Sequence, residues 1–274
     1  MGDIVIFDEG YPWVTGGLYS KTITQDNISR IKIKHTTGTA GGGSYVANTV
    51  IEFIQIRING ILILDWNGET GIAGAMSMGI TLLREFYAQL HNADMPAENF
   101  IIEFPFPIPA NAQIQLIFKM ATMASMGVTT SYTGASFDVT YEKGEPSKVV
   151  IIPYVTWNEW NDAAIPGHCL HYIPQLPENM KLRYLLFITD DGGTLANTTY
   201  SRLTISILGR ILFDGFMVDI QNDQEARSMK AMATGLFMIP FKGGLKVGNA
   251  MVKLDFVPTA AGTAKHIRPA FICW

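Results

Sequence analysis

An alternation of apolar and polar positions around a glycine occurs twice in the chain. Residues 56–65 consist of an apolar alternation, Gly60, a second apolar run and Asp65, and residues 205–214 repeat this order around Gly209. The matching positions differ by 149 throughout. Alternation with period two, interrupted by a residue that tolerates turn geometry, is typical of two strands joined by a turn. Because solenoid repeats are far shorter, the pattern predicts two copies of one domain.

The same three features follow each hairpin in the same order: a helix-like segment, an apolar strand broken by proline, and a strand that opens with Asn-Ala. In the first half they occupy residues 72–90, 104–106 and 111–118, and in the second half 221–234, 239–241 and 249–256. The strands that open with Asn-Ala are offset by 138, which implies a net loss of 11 residues, most simply in and around the helix. Several ordered matches of this kind support a duplicated domain.

Short strands at regular spacing, separated by turn residues, make up most of the remaining chain and indicate a β-sandwich in each half. We expect an N-terminal arm at residues 1–20, a first domain at 21–144 and a second at 145–274, with the polar segment 142–147 as the linker. The loops at 120–134 and 190–200 are expected to form exposed tips, the second of them opening with a turn at 190–193.

Composition limits the class of protein. Hydrophobic residues make up 48% and charged residues 16% of the chain, which is less charge than soluble domains usually carry and suggests surface covered by partners. The net charge of −4 argues against a protein that coats nucleic acid, and the basic run 32–35 is interpreted as a solvated strand face. Two cysteines, Cys169 and Cys273, do not make a disulfide framework. Since we find neither a signal-peptide pattern nor an uncharged apolar run of ~20 residues, we expect a soluble protein made in a reducing cytoplasm.

Two groups of residues have the side chains that metal binding or catalysis uses. His168, Cys169 and His171 lie within four residues, but zinc sites usually draw four ligands and no second cluster completes this one. Asp65 and Asp214 are repeated and could be catalytic carboxylates. An aspartate between a strand and a helix is more simply a turn former or a helix N-cap, and an active site rarely needs one residue in both domains. We therefore favour structural roles for both groups.

Glu159, between Trp157 and Trp160, is the most enzyme-like feature of the sequence. Aromatic side chains stack on sugar rings, and glycoside hydrolysis uses paired carboxylates. The partner carboxylate would have to be Asp162 or Glu178, the nearby candidates. Packing or interface use of these side chains is the simpler interpretation.

The remaining motifs do not indicate chemistry. The glycine-rich loop 36–44 lacks the Lys-Ser/Thr pair and the helix of a phosphate loop. The glycosylation sequons at Asn27 and Asn197 are interpreted as coincidental in the absence of a signal peptide. No fingerprint of a serine hydrolase, a zinc protease or a dinucleotide-binding fold is present. We therefore assign no catalytic, cofactor-binding or metal-binding residue and expect no enzyme.

The whole pattern resembles one family, the double jelly-roll major capsid proteins of tailless, membrane-containing icosahedral bacteriophages. The likeness is carried by the strand-turn-strand units 56–65 and 205–214, each of which precedes a helix, and by architecture it covers residues 21–274. The resemblance implies an all-β fold of two tandem eight-stranded jelly-roll sandwiches, each with one inserted helix. The family has no catalytic residues to carry over.

The resemblance also implies a function and partners. Three copies would form a homotrimer, a pseudo-hexagonal tile of an icosahedral virion shell around an internal membrane, with minor capsid proteins and that membrane as further partners. Direct nucleic-acid binding is not expected, and the protein would be synthesised in the host cytoplasm and located in the virion capsid. The first helix, which contains Met76 and Met78 and is apolar and glycine-rich from Gly71 to Leu83, is expected to pack against a neighbouring subunit.

Two other functions are compatible with a pair of jelly rolls. One is a carbohydrate-binding or carbohydrate-active protein, with Trp157, Glu159 and Trp160 as the subsite. The other is a non-viral scaffold or attachment protein, which would also lack catalytic groups. An aromatic-lined pocket would favour the first, and a flat hexagonal trimer would exclude both.

Overall fold

The computed structural model describes residues 4–24, 26–43, 50–67, 99–145, 154–157, 160–162, 167–173, 175–176, 178–192, 194–247, 250–259 and 265–274. The chain divides into two compact units, Met1–Ala88 with Asp94–Tyr154, and Gln89–Ala93 with Val155–Trp274. Apart from one helix, every regular element of the described part is a β-strand, which confirms the predicted all-β class. The helix predicted at 72–90, including Met76 and Met78, lies outside the described residues.

The first unit contains a four-stranded antiparallel sheet, a second antiparallel sheet to which four of its strands belong, and a two-stranded ribbon. Its strands are β1 (Ile4–Pro12), β2 (Leu18–Ile23), β3 (Ile28–Thr36), β4 (Thr39–Gly43), β5 (Ile51–Ile58), β6 (Ile61–Asn67), β7 (Asn99–Ile108), β8 (Ile114–Met120), β9 (Val128–Thr133) and β10 (Ser136–Lys143). One sheet has the order β1-β10-β3-β7, the other contains β6-β5-β8-β2, and β4 pairs with β9. The sheets face each other across an aromatic core in which the rings of Phe118 and Phe137 lie 5.3 Å apart. These eight strands confirm the predicted first sandwich.

The second unit repeats this plan. After β11 (Tyr154–Trp157) at the boundary, its elements are β12 (Trp160–Asp162), β13 (Cys169–Tyr172), β14 (Lys181–Asp191), β15 (Thr194–Leu195), β16 (Tyr200–Ile207), β17 (Arg210–Phe216), α1 (Met217–Ser228), β18 (Leu236–Lys246), β19 (Val252–Pro258) and β20 (Lys265–Cys273). One sheet has the order β13-β19-β16-β17. In the other, β14 lies between β18 and β20, and β12 pairs with β20. Phe187 of one sheet meets Phe256 of the other edge to face, at 5.5 Å.

The prediction of an N-terminal arm is wrong at residues 4–12 and 18–20, because these residues lie in strands. β1 pairs with β10 from Ile4 opposite Lys143 to Pro12 opposite Ser136, and β2 pairs with β8, so both strands belong to the sheets of the first unit. Gly10 and Pro12 suggested irregular entry, but the paired edge of β10 supplies hydrogen-bond partners that the local sequence does not reveal. The start of the expected linker, Glu142 and Lys143, likewise belongs to β10.

The helix of the second unit occurs after the hairpin, as predicted, but its bounds differ. It begins at Met217, directly after β17, and ends at Ser228, whereas the sequence suggested 221–234. Met229 adopts a left-handed conformation with φ 54°, which ends the helix. The buried residues recur at helical spacing: Met217, Ile220, Gln221, Gln224 and Ser228. Among the residues that the structure describes, no helix combines the length and the apolar character needed to cross a membrane.

The proline-broken strands of the two halves are β7, which stands at an end of its sheet order, and β18, whose one partner among the described strands is β14. Proline has no backbone N–H to donate, so it is tolerated where a strand is hydrogen-bonded on one side only. Pro240 of β18 lies opposite Tyr184 of β14 in this arrangement. The matching prolines of the sequence therefore mark corresponding edge strands.

Candidate functional site

The two repeated hairpins have the same geometry. β5 and β6 are joined by Asn59 and Gly60, with φ of 50° and 79°, and β16 and β17 by Leu208 and Gly209, with φ of 47° and 79°. Two central residues with positive φ define the tight turn that matches the twist of antiparallel strands. The pairing irregularity after Ile56 in the first hairpin recurs after Ile205 in the second, at the same offset. The duplication predicted from the sequence is thus preserved down to a β-bulge.

The two repeated aspartates lie in strands and make cross-strand hydrogen bonds. Gln55 Nε2 donates to Asp65 Oδ1 at 3.0 Å, and at the corresponding position Thr204 Oγ1 donates to Asp214 Oδ1 at 2.9 Å. Arg202 Nε also donates to Asp214 Oδ1, at 2.7 Å, and this partner lowers the pKa of the Asp214 carboxyl below its usual value. The N-cap interpretation is wrong for Asp214, because the N-cap position of α1 is occupied by Phe216.

The candidate metal ligands of residues 168–171 do not converge. His168 Nδ1 lies 2.7 Å from Asp255 Oδ1 on the exposed side of the sheet. The ring of His171 instead stacks on Trp160, with centroids 4.4 Å apart. Side chains alternate between the two faces of a strand, which separates these histidines. The described residues contain no group of three or more histidine, cysteine or acidic side chains suited to a metal ion.

A buried polar cluster lies beneath Trp160. The Tyr200 hydroxyl donates to Asp162 Oδ2 at 2.6 Å, and His171 Nε2 lies 2.9 Å from Asp162 Oδ1. Burial alone would raise the pKa of Asp162, but His171 and Tyr200 outweigh it and hold this pKa below its usual value. Burial and the neighbouring Asp162 raise the pKa of the Cys169 thiol to about 12. The thiol is therefore protonated near neutral pH and is a poor nucleophile.

A second buried cluster was missed at the sequence level. Asp190 Oδ1 lies 2.7 Å from His266 Nδ1, and Asp190 Oδ2 accepts a hydrogen bond from Arg268 Nη1 at 2.6 Å. Next to it, Lys265 Nζ donates to Asp191 Oδ2 at 2.8 Å. The predicted turn at 190–193 is wrong for its first two residues, which end β14 and pair with β20. The available signal was the basic run at 265–268 within an otherwise apolar final strand.

The candidate sugar subsite is only partly described. Glu159 and the side chain of Trp157 lie outside the described residues. The ring of Trp160 stacks on His171 at an interplanar angle of 4° and lies 6.2 Å from the ring of Phe271. One face of this indole is therefore covered by protein, and Asp162 is engaged in the buried cluster.

Within the glycine-rich segment 36–44, residues Thr39–Gly43 form the ribbon strand β4. A Cβ added to Gly41 would meet the hydroxyl of Ser131 on β9, and one added to Gly43 would meet the carbonyl oxygen of Gly127. The glycines therefore allow two backbones to approach closely, and the ribbon is anchored by the Tyr132 hydroxyl, which accepts from the Gly38 amide at 3.0 Å. The segment expected as a tip at 120–134 thus includes a paired strand, β9.

The second expected tip is partly buried, and the asparagines of both sequons make hydrogen bonds within the protein. Within 190–200, Asp190, Thr199 and Tyr200 are buried, so the segment is not exposed throughout. Asn197 Oδ1 accepts hydrogen bonds from the Gly235 amide and from Gln221 Nε2. Asn27 Oδ1 accepts one from the Ala110 amide at 3.0 Å. Both asparagine side chains of the sequons therefore have structural hydrogen bonds.

Solved structures similar to this chain include major capsid proteins of viruses. The major capsid protein of bacteriophage PM2 superposes with a TM-score of 0.62 at 11% identity, over 98% of each chain. The major capsid protein of Sulfolobus turreted icosahedral virus gives 0.68 at 12% identity, over 97% of this chain and 94% of that one. The PBCV-1 virus capsid gives 0.62 at 12% identity, over 99% and 94%. These likenesses establish the fold, which is the double jelly roll of viral major capsid proteins.

Sequence comparison alone does not reach this result. No protein-family model matches the chain, and no curated relative matches it at a significant level. The structural likeness confirms the fold that the duplicated hairpins suggested. The same arrangement of strands in two facing sheets occurs in both halves, so the two halves are copies of one sandwich plan.

Proposed function

We propose that this chain is a structural subunit of a viral capsid. The observation that carries the proposal is the similarity, over almost the full length of both chains, to solved major capsid proteins of viruses. The similarity extends over 98% of each chain, so it covers both sandwiches of the duplicated fold.

The finer proposal is that three copies form a pseudo-hexagonal tile and that such tiles enclose an internal membrane. A chain with two sandwiches of the same plan supplies six of them when three copies surround an axis, and closed symmetry of this kind is usual for homo-oligomers. The low charge of 16% is in keeping with large contacts between subunits. On this proposal the protein resides in the virion capsid, and its partners are other copies, minor capsid proteins and the membrane.

The buried polar clusters support a structural rather than a catalytic role. The buried carboxylates of Asp162 and Asp190 each have at least one hydrogen-bond donor from the same unit, and so does the exposed carboxylate of Asp214. A carboxylate whose ionised form is held by such donors is a weak general base. The carbohydrate alternative has less support, because His171 already occupies one face of Trp160.

The mass of the purified protein in solution tests this proposal. We expect light scattering on a sizing column to give three times the 30.2 kDa chain mass, or larger closed shells visible by electron microscopy. Six-fold-like density in images of the trimer would support the tile. A protein that remains monomeric at all concentrations, and that binds soluble glycans instead, would contradict the proposal.

A further inference from the structure

The second unit exposes a group of apolar side chains around one shallow cleft. The cleft has a volume of about 480 Å³ and is lined by Tyr172, Leu208, Ile211 and Met251, among others. Leu208 is 84% exposed and Met251 66% exposed. Leu170, also exposed, lies on the same strand and the same side as Tyr172. We call these five residues the hairpin face of the second unit.

The first unit provides an internal control for this face. The strand register shows which residues of the two units correspond. The cross-strand pair Ile58 and Ile114 of the first unit corresponds to the pair Ile207 and Val252 of the second. The pair Tyr19 and Phe118 likewise corresponds to the pair Cys169 and Phe256. By this alignment, four apolar residues of the hairpin face have polar counterparts in the first unit. The pairs are Leu208 with Asn59, Met251 with Gln113, Tyr172 with Thr22, and Leu170 with Ser20.

The polar counterparts are exposed as well, so the fold does not require apolar side chains at these positions. Asn59 also stabilises its turn, because its side-chain Oδ1 accepts a hydrogen bond from the Gln113 amide at 2.8 Å. At these four exposed positions the second unit is therefore apolar where the first unit is polar. A cluster of exposed apolar residues of this kind marks an interaction surface.

Leu208 is unfavourable for two independent reasons in the isolated unit. Its φ of 47° lies in the left-handed region, where asparagine and glycine are favoured and leucine is not. Its side chain is also left in water at the tip of the hairpin. A residue that breaks two local preferences at once is expected where a function compensates for the cost.

The charges beside the cleft indicate what kind of partner fits. Lys253 Nζ lies 3.6 Å from Asp255 Oδ2, so the two charged residues that line the cleft are matched with each other, and His168 Nδ1 lies 2.7 Å from Asp255 Oδ1. Nucleic acid and anionic lipid require a basic excess, which these pairs do not provide. Aromatic and methionine side chains within a neutral polar surround are typical of the core of a protein interface.

We propose that the hairpin face of the second unit binds a second copy of this chain. The inference rests on the proposed capsid function, which supplies identical chains at high local concentration and requires each to contact several others. A face whose charges are already matched needs no strongly charged partner, and another copy of a chain with little charge meets this condition. The corresponding face of the first unit, which is polar at four of the five positions, is then left for a different neighbour or for solvent.

The test transfers the residues of the first unit to the second. In the variant Leu208→Asn with Met251→Gln, we expect the association constant between copies to fall about tenfold or more, measured by light scattering and sedimentation over a concentration series. The fold should be retained, since asparagine suits the turn, and the thermal midpoint reports this. Leu208→Asn alone serves as a second, milder variant. Val218→Gln, on the exposed side of α1, is the matched control and should associate like the unchanged protein.

The outcomes separate this inference from the proposed function. If the unchanged protein associates and both variants associate equally well, the hairpin face is not a contact between copies, although the capsid proposal stands. If Val218→Gln weakens association as much, general surface hydrophobicity explains the effect and the inference fails. If the unchanged protein binds anionic phosphatidylglycerol vesicles through Leu208 while association is unaffected, the partner is lipid and the inference is overturned. If the unchanged protein does not associate at all, both proposals fail.

Discussion

Replacement of Asp190 by asparagine tests the buried ionic cluster of the second unit. Asp190 is fully buried at the end of β14, and Arg268 on β20 is 1% exposed. The change keeps the size of the side chain but removes its charge and replaces one acceptor oxygen with a donor. Arg268 and His266 then face an amide where each had a carboxylate oxygen within 2.7 Å.

The expected loss follows from this burial. Removal of one partner of a buried ion pair typically costs about 3–5 kcal/mol, because the remaining charge stays out of water without its counter-charge. Since asparagine keeps one acceptor, we expect Asp190→Asn to lower the free energy of unfolding by about 3 kcal/mol. When Arg268→Met is added, the double variant should lose less than the sum of the two single changes, because neither charge is left alone.

Urea unfolding followed by tryptophan fluorescence, with calorimetry to resolve the transitions of the two units, measures these values. Asp223→Asn is the matched control, because Asp223 forms an exposed pair with Arg227 one helical turn away, at 2.7 Å. Exposed pairs contribute little, so this control should change stability by less than about 0.5 kcal/mol. If Asp190→Asn costs no more than Asp223→Asn, or if the two changes at Asp190 and Arg268 are simply additive, the reasoning from burial is refuted.

Two further predictions concern the ribbon and the Asp162 cluster. Gly43 and Gly60 both have φ near 80°, but of the two only Gly43 has a backbone oxygen where an added Cβ would lie. Gly60→Ala should therefore lower the free energy of unfolding by about 1 kcal/mol, and Gly43→Ala should lower it clearly more. Equal unfolding midpoints for the two variants would contradict this. Tyr200→Phe removes the 2.6 Å hydrogen bond to Asp162 and should cost about 1–3 kcal/mol at neutral pH. The pKa of folded Asp162 is lowered, so its contribution is present above the usual carboxyl value of 3.8 and is lost as the pH falls through the lower folded value. The difference between the two proteins in urea midpoint should therefore shrink in acid, and a constant difference would count against this role.

The sequence by itself determined the duplication and the architecture. The alternation around Gly60 and Gly209 became two hairpins with the same turn and the same bulge, because turn geometry and strand register depend on neighbouring residues. The strands predicted to open with Asn-Ala correspond to β8 and β19, which begin three residues later, at Ile114 and Val252, and occupy the same place in their sheets. Signals of this kind act over a few residues, so they can be read before the fold is known.

Errors at the sequence level occurred where a local pattern was overruled from a distance. Residues 4–12 contain glycine and proline and suggested an arm, yet pairing with β10 makes them a strand. The segment 221–234 suggested a helix, but the left-handed backbone at Met229 ends α1 before that range is complete. In both cases the deciding contact or conformation could not be inferred from residue order alone.

Only the tertiary structure decided which side chains are buried and which are presented to a partner. Asp190 and His266 are separated by 76 positions and meet because β14 and β20 are neighbours in one sheet. Asn59 and Leu208 occupy the same turn in two sandwiches, and the contrast between them becomes meaningful once both are seen to be exposed. Local preferences select strands and turns, whereas burial depends on which distant strands pack together, and that is set by the free energy of the whole sandwich.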